Sequence, residues 1–314
     1  MRSSADEIRE RLRGVAVGLL TPFDDSLEIE YDKLAHNAEA LYDEGIRTFL
    51  ATANISEYHS LSRDERLAVA EQSVDALPDD ACVLAGVGGS TATATDLIEG
   101  YDQIGVDAMM IMPPDHTYLH EQGLLDYYRE LDDASDRPLV PYVRGFEPSV
   151  DYLADLTRID GVIGVKYALE DCVKLGAGIA AGADDVVWVD GLAEPYAVAF
   201  WAEGVEGFSA GVSNFRPEVG LELFAALQNE NWERARKLRN ICLPYQEFRD
   251  ETGQDNTLAG ASSVAAVKEG LKLAGLNGGN GTVREPIRPL TPDQRDRAAD
   301  LYDQLDDDIN RLIE

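Results

Sequence analysis

Basic residues are scarce in this chain of 314 residues, and the scarcity limits what the chain can bind. Lysine and arginine together number 27 against 59 aspartates and glutamates, which leaves a formal net charge of −32 at neutral pH. Nucleic acids and anionic membranes are recognised by basic patches. The composition therefore excludes nucleic acid and membrane surfaces as partners.

Lysine is the scarcer of the two bases. It occurs only at positions 33, 166, 174, 237, 268 and 272, and arginine supplies the other 21 of the 27 basic residues. The acidic residues are spread over all the predicted helices, which favours a halophilic protein from a cytosol of very high salt. In such salt the Debye length falls to roughly 3 Å and self-repulsion is screened. An ordinary acidic enzyme is the alternative. We interpret the negative charge as a consequence of the protein's habitat and not of the reaction that it catalyses.

The halophilic interpretation predicts that folding and activity need molar salt. Without screening, the like charges of the surface repel one another and destabilise the compact state. The midpoint of thermal unfolding is therefore expected to be higher in molar KCl than in dilute buffer. An unchanged midpoint would contradict the interpretation.

Cysteine and long apolar runs are also lacking. The three cysteines, at positions 82, 172 and 242, are far apart and have no metal-like spacing, so no metal or other cofactor is predicted. No apolar stretch approaches the roughly 18–20 residues that span a bilayer. Residues 1–7 lack the apolar core of a signal peptide, and Ser4 with Glu7 forms a helix capping box instead. We therefore expect a cytoplasmic protein.

Short apolar runs alternate with amphipathic helical patterns over the first two thirds of the chain. Such runs indicate strands that are buried on both faces. Eight are predicted, at residues 14–20, 47–51, 82–87, 108–112, 139–143, 162–166, 186–190 and 207–210. Eight βα units in succession predict an α/β protein with a (β/α)8 barrel. A doubly wound sheet is the alternative, but no Gly-x-Gly-x-x-Gly motif opens a helix after the first strand.

A helical segment follows the eighth unit. Its helices are predicted at residues 217–227, 232–249, up to 272, and 292–313, the last beginning with a capping box at Thr291. We expect residues 1–215 to form the barrel that carries the active site. Residues 216–314 then form a C-terminal helical extension packed on that barrel.

Lys166 is the most informative residue, because it ends the apolar run 161–166. Active sites of (β/α)8 barrels are built at the carboxyl ends of the strands. A partly desolvated lysine loses its proton more easily and can attack a carbonyl carbon to form a Schiff base. The alternative is a strand-end lysine that pairs with one of the many carboxylates.

Other strand ends carry compatible chemistry. Tyr142 could transfer protons to and from a lysine adduct, or could be a packing aromatic. Arg144 could clamp a carboxylate, or could pair with Glu147 or Glu170 at the surface. Glu57 is expected to be structural, capping the next helix. The remaining strand-end positions are Asn54, Ile55, Gly191 and Ser209, while His116 and Tyr118 lie in a loop whose reach is left open.

These strand ends resemble the dihydrodipicolinate synthase and N-acetylneuraminate lyase family, over residues 14–214. The segments that carry the resemblance are 18–24 (GLLTPFD), 86–88 (GVG), 138–142 (PLVPY) and 164–166 (GVK). The resemblance implies a Schiff-base lyase that acts on a 2-oxo acid without a cofactor. It implies Lys166 as the Schiff-base lysine, Tyr142 as the proton-relay tyrosine, and a homo-oligomer, either dimer or tetramer.

The chain also departs from the family pattern. The family's Gly-Thr-Thr-Gly-Glu, which binds the substrate carboxylate, is replaced here by residues 53–57 (ANISE), so the threonine of the relay is missing. Backbone N–H groups of Asn54 and Ile55 are expected to hold the carboxylate, with Gly191 and Ser209 lining the wall. The tyrosine pair that follows strand 4 in the synthases is replaced by Pro114 and Asp115.

An arginine two residues after the tyrosine is closer to the branch near the 5-dehydro-4-deoxyglucarate dehydratases. Arg144 is then expected to meet the distal carboxylate or hydroxyls of the substrate. The predicted function is dehydration or aldol cleavage of a 2-keto-3-deoxy sugar acid. The leading alternative is the synthase that condenses pyruvate with aspartate semialdehyde. A non-catalytic paralogue that binds a 2-oxo acid is an alternative of another class.

Overall fold

In the computed structural model, which describes residues 4–253 and 255–313, eight parallel strands form a closed barrel in sequence order. Each strand is hydrogen-bonded to its sequence neighbours, and β8 closes the barrel on β1. The strands are β1 Val15–Gly18, β2 Thr48–Leu50, β3 Cys82–Val87, β4 Ala108–Ile111, β5 Leu139–Val143, β6 Gly164–Tyr167, β7 Val187–Asp190 and β8 Gly207–Ser209. The predicted (β/α)8 barrel is confirmed.

Helices surround the barrel and continue after it. Those before or between the strands are α1 Ala5–Leu12, α2 Tyr31–Asp43, α3 Arg63–Ala76, α4 Thr91–Ile104, α5 Glu121–Asp132, α6 Val150–Leu156, α7 Cys172–Ala181 and α8 Glu194–Glu203. Those after β8 are α9 Pro217–Gln228, α10 Trp232–Asp250, α11 Ser263–Leu273 and α12 Pro292–Ile313. The capping box predicted at Ser4 is formed, and a second one forms at Ser62, the N-cap of α3.

The strands are almost wholly buried because side chains of the barrel interior lie on one face and the helices cover the other. The end of α1 covers the amino-terminal end of the barrel. A Cβ built on Gly164 would lie 2.9 Å from Cδ1 of Leu12, and one on Gly207 would lie 2.1 Å from the Leu12 carbonyl oxygen. This end is closed, so a site can open only at the carboxyl ends of the strands.

The barrel and the helices that follow it share one apolar cluster. It joins side chains of β1 and β2, such as Val17 and Phe49, to Leu238 of α10 and Leu271 of α11. Because this core is continuous, the division into residues 1–215 and 216–314 stays a prediction. Residues 1–3 of the predicted barrel segment, and residues 254 and 314 of the extension, lie outside the described residues.

Candidate active site at the carboxyl ends of the strands

Lys166 and Tyr142 lie side by side on neighbouring strands. The parallel register of β5 and β6 pairs these two residues directly, which puts both side chains on the same face of the sheet. The Lys166 Nζ lies 4.3 Å from the centroid of the Tyr142 ring. Lys166 is 7% exposed and Tyr142 is 3% exposed. The structure therefore brings together the two residues that the sequence selected, at the carboxyl ends of their strands.

Burial lowers the pKa of the Lys166 ammonium below its ordinary value. The positive charge of Arg144 acts in the same direction, while Tyr142 and Asp190 oppose it without reversing the lowered pKa. A lower pKa leaves more of the amine unprotonated at a given pH, and only the neutral amine attacks a carbonyl carbon. The surroundings of Lys166 thus favour nucleophilic chemistry.

Arg144 contacts the tyrosine rather than the surface carboxylates. Its Nη1 donates a hydrogen bond of 3.2 Å to the Tyr142 hydroxyl. Burial alone raises the pKa of Tyr142, but the charges of Lys166 and Arg144 outweigh burial and leave that pKa lowered. The alternative partner Glu147 is bonded to Lys174 instead, at 2.9 Å. A hydroxyl with a lowered pKa beside an amine is suited to transferring protons.

The position of the Tyr142 ring leaves little room for a side chain at residue 191, which is glycine. This glycine directly follows β7, and a Cβ built on it would lie 3.1 Å from Tyr142 Cε2 and 2.8 Å from the Cβ of Ala168. Any larger residue would push against the ring or against the end of β6. Gly191 therefore lines the site, at the place predicted from the sequence.

Replacing Gly191 with alanine is expected to displace the Tyr142 ring. We expect a fall in kcat of about 10- to 100-fold and a loss of about 1–3 kcal/mol of stability through overpacking. Gly123 of α5 offers a matched control, because its added Cβ would meet only the Cβ of His120 at 4.0 Å. Steady-state kinetics and thermal unfolding of both variants test the prediction. Equal kcat values for Gly191→Ala and wild type would contradict it.

The loop after β2 begins with the short 3-10 helix Asn54–Ser56. The first N–H groups of a helix have no acceptor within it, so those of Asn54 and Ile55 are available to an anion. Two buried hydrogen bonds hold this turn, from the Thr21 hydroxyl to the Ser56 carbonyl at 2.7 Å and from the Ala53 N–H to Ser56 Oγ at 3.1 Å. The turn therefore lies at the carboxyl end of β2, as the sequence predicted.

Gly18 of β1 makes room for that turn. A Cβ on Gly18 would lie 2.2 Å from Cγ2 of Ile55, so the isoleucine side chain packs over β1 only because residue 18 is glycine. The segments 18–24 and 53–57 are therefore packed against each other at this point.

Ser209 ends β8 with its side chain buried. Its hydroxyl donates to the Asp190 carbonyl oxygen at 3.1 Å, which joins the ends of β7 and β8. The register pairs Ser209 with Ala16 on β1, so both residues lie on one face of the sheet. Ser209 thus belongs to the wall at the strand ends, but its proton is already donated to the backbone.

A cavity of about 320 Å³ opens beside the tyrosine. Among its lining residues are Asn54, Tyr142 and Arg144, together with His59, His116 and residues 112–115. Lys166 is not among the lining residues, but its Nζ lies against the ring of Tyr142, which is one of them. Tyr118 is 85% exposed and stays outside. His116 thus reaches the cavity.

One residue of the cavity wall, His59, was missed by the sequence analysis, and the contacts of Glu57 differ from those expected. His59 lines the cavity, and burial followed by the charge of Arg66 lowers its pKa, which favours a neutral imidazole. Nothing in a loop sequence marks one histidine as a lining residue. Glu57 was expected to be structural, and it is, but not as the cap of the next helix: Ser62 caps α3, while Glu57 is buried against Lys268. Burying a carboxylate without a cation costs more free energy than a helix cap at the surface provides, so the pairing with Lys268 is favoured.

No helix in residues 4–253 and 255–313 is both long enough and apolar enough to cross a membrane. The same residues contain no group of three or more His, Cys, Asp or Glu side chains arranged to hold a metal ion.

Comparison with known proteins extends the resemblance over nearly the whole chain. Residues 11–305 match the dihydrodipicolinate synthetase family. The probable 5-dehydro-4-deoxyglucarate dehydratase of Bacillus subtilis (strain 168) is 27% identical over 306 residues, covering 95% of this chain and 96% of that protein. The 4-hydroxy-tetrahydrodipicolinate synthase of Natronomonas pharaonis is 26% identical over 298 residues, covering 93% and 97%.

A solved structure agrees with this match. The crystal structure of dihydrodipicolinate synthase from Oceanobacillus iheyensis has a TM-score of 0.90 and 28% sequence identity, covering 97% of this chain and 100% of that one. The names of the two relatives differ in activity, so similarity alone does not select a substrate. Because the match spans the barrel and most of the extension, this chain belongs to the dihydrodipicolinate synthetase family of Schiff-base lyases.

Proposed function

We propose that this lyase acts on a 2-keto-3-deoxy sugar acid through a Schiff base on Lys166. Of the two predicted reactions, dehydration and aldol cleavage, we propose dehydration first. The observation that carries the proposal is the buried contact of the Lys166 Nζ with the Tyr142 ring, whose hydroxyl accepts a hydrogen bond from Arg144. The lowered pKa of both Lys166 and Tyr142 supports it, because one group must attack as a neutral amine and the other must exchange protons.

The reaction follows from the iminium. The amine of Lys166 attacks C2 of the oxo acid, and the resulting carbinolamine loses water with protons moved by Tyr142. The iminium withdraws electrons from C3, so Tyr142 can take the C3 proton while the electrons of the C3–H bond form the enamine. The enamine electrons then expel the hydroxyl at C4, which takes that proton from Tyr142 and leaves as water. Hydrolysis of the unsaturated iminium uses one water, in place of the one lost from the carbinolamine, and releases the unsaturated 2-oxo acid and the Lys166 amine.

The substrate carboxylate is assigned to the turn after β2. The N–H groups of Asn54 and Ile55 are suited to hold it, while Gly191 and Ser209 shape the wall beside the reacting carbons. Arg144 faces the cavity and is suited to pair with a distal carboxylate or with hydroxyls. A substrate that is charged at both ends would use both groups.

Two sequence departures favour the sugar acid over the lysine-biosynthetic synthase. Residues 54 and 55 (NI) stand where the family has two threonines, so the threonine of the relay is missing. Pro114 and Asp115 replace the tyrosine pair that follows strand 4 in the synthases. The Tyr142 hydroxyl is bonded to Arg144 instead. The synthase remains the second candidate, because the relative from Natronomonas pharaonis carries that name and matches over 97% of its length. A non-catalytic paralogue that binds a 2-oxo acid is the third candidate.

The deciding experiment combines trapping with turnover, in protein shown to be folded at high salt. Borohydride reduction with pyruvate and, separately, with 2-keto-3-deoxygluconate is followed by peptide mass spectrometry. An adduct on Lys166 together with turnover of the deoxy-keto acid supports the proposal. Turnover of pyruvate with aspartate semialdehyde alone would select the synthase. An adduct without turnover of either would select the binding paralogue.

We also propose a homo-oligomer, dimer or tetramer, in a cytoplasm of high salt. The family resemblance supports the oligomer, and the net charge of −32 supports the salt. Light scattering of the protein in molar KCl measures the oligomeric state directly. A monomer at working concentration would contradict the first part of this proposal.

A further inference from the structure

A buried ion pair joins the extension to the loop after β2. Lys268 of α11 is 0% exposed and Glu57 is 2% exposed, and the Lys268 Nζ donates to Glu57 Oε1. The same ammonium donates to the Thr282 carbonyl at 2.7 Å, and Glu57 Oε2 accepts from the Arg284 N–H at 2.9 Å. The carboxylate is thus held from two places in the extension.

Glu57 is the residue that ends the proposed carboxylate-binding turn. It adopts a left-handed backbone conformation at φ 62°, and its N–H donates to the Asn54 carbonyl at 3.1 Å. Its own carbonyl accepts from the Ser60 N–H at 2.8 Å. Because the left-handed region is unfavourable for a residue with a side chain, contacts of that side chain must hold it there. Fixing Glu57 therefore fixes the direction of the Asn54 and Ile55 N–H groups.

The extension also encloses the first loop of the barrel. The ring of Phe23 lies under two cations, with the Lys268 Nζ and the Arg284 Cζ each 4.4 Å from its centroid. Arg284 donates further to the Leu27 carbonyl at 2.6 Å and to the Ser60 carbonyl at 3.2 Å. The loops after β1 and β2 are therefore held together by residues of the extension.

Stability alone does not account for this pair. Buried ion pairs cost desolvation free energy, and apolar replacements of similar volume are often neutral or stabilising. The pair lies beside the turn that must aim two N–H groups at one carboxylate, where small displacements are expensive for recognition.

We infer that Lys268 and Glu57 are positioning residues, through which the C-terminal extension sets the geometry of the carboxylate-binding turn at Asn54 and Ile55. The inference rests on the proposed function, because it assigns the turn to a 2-oxo acid. Neither side chain touches the substrate. Their effect is transmitted through the backbone of residues 54–57.

The test uses the double variant Glu57→Gln/Lys268→Met in the full chain at high salt. It removes both charges together, so neither is left buried alone, and the glutamine oxygen can still accept from the Arg284 N–H. The matched control is Asn37→Ala. Asn37 joins α2 to the same extension through two hydrogen bonds to Asn277, at 2.8 and 2.9 Å, and neither bond involves residues 54–57.

The double variant is expected to raise KM for the 2-oxo acid by at least about tenfold. Its kcat at saturation should stay within about threefold of wild type, because Lys166 and Tyr142 are untouched. Asn37→Ala should leave KM unchanged, and both variants should still yield the borohydride adduct on Lys166 at saturating pyruvate.

A folded double variant with a wild-type KM would overturn the inference. So would an equal rise of KM in Asn37→Ala, since that result would mark a general loosening of the extension. Failure of the proposed function has a different signature, which is the absence of any Lys166 adduct in the wild-type protein, and the inference would fail with it.

Discussion

Replacement of Lys166 by alanine is expected to abolish turnover while leaving the barrel folded. Removing the nucleophile of a covalent mechanism lowers kcat on the order of 10⁴-fold or more. The fold should survive because the substitution removes a cation whose burial is itself unfavourable, as its lowered pKa records. Turnover, borohydride trapping and thermal unfolding of the variant in molar salt are the measurements.

Lys174 supplies the control for this experiment. It lies at the start of α7 with its ammonium 2.9 Å from the Glu147 carboxylate, away from the tyrosine. Lys174→Ala should retain both turnover and the trapped adduct. Full activity in Lys166→Ala, or an adduct that survives in it, would refute the Schiff-base assignment.

Tyr142→Phe is expected to slow turnover by about 10²- to 10⁴-fold, the usual contribution of a positioned acid or base. The nucleophile remains, so the adduct should still form on Lys166, although more slowly. Single-turnover trapping and steady-state kinetics separate the two effects. Unchanged kcat would show that Tyr142 only packs against the lysine.

The pH dependence of borohydride trapping is a second measurement to make on the Tyr142→Phe variant. In the wild type the negative charge of an ionised Tyr142 raises the pKa of Lys166, and burial with Arg144 lowers it. Phenylalanine cannot carry this negative charge, so the pKa of Lys166 should fall further. Trapping, which increases as the amine loses its proton, should therefore begin to rise at lower pH in Tyr142→Phe than in wild type.

Tyr167→Phe is the matched control for both measurements. Tyr167 is also buried, but its hydroxyl donates to the Asp171 carbonyl at 3.2 Å rather than facing the lysine. Loss of that hydrogen bond should cost about 1 kcal/mol of stability. Its pH profile should match the wild type, and a shift equal to that of Tyr142→Phe would contradict the assignment.

The strands were predictable because each is a short apolar run between polar turns. β3 and β5 begin and end at the predicted residues. β6 was predicted to begin at Val162 but begins at Gly164, where the ladder to β7 starts; Val162 makes only an isolated bridge to Leu139. The residues at which a strand begins and ends depend on its hydrogen bonds to the neighbouring strand. The composition of the strand itself does not reveal those bonds.

The lysine and the tyrosine were predictable together because neighbouring parallel strands end at the same side of a barrel. The partner of Glu57 was not predictable, because Lys268 lies 211 residues away along the chain and no local pattern distinguishes it from the other basic residues. Arg144 was ambiguous for a related reason. Whether its guanidinium turns to the surface or to the Tyr142 hydroxyl depends on packing at the strand ends.

The closed sheet has a consequence for assembly. Every strand from β1 to β8 is hydrogen-bonded on both sides, so the barrel presents no free edge to a second chain. In the proposed homo-oligomer, copies of this protein would therefore meet through helices and loops, whose surfaces carry the excess of carboxylates. Like-charged faces approach only when counterions accompany them. Salt would then govern how subunits associate as well as how each one folds, and dilution into fresh water would weaken both.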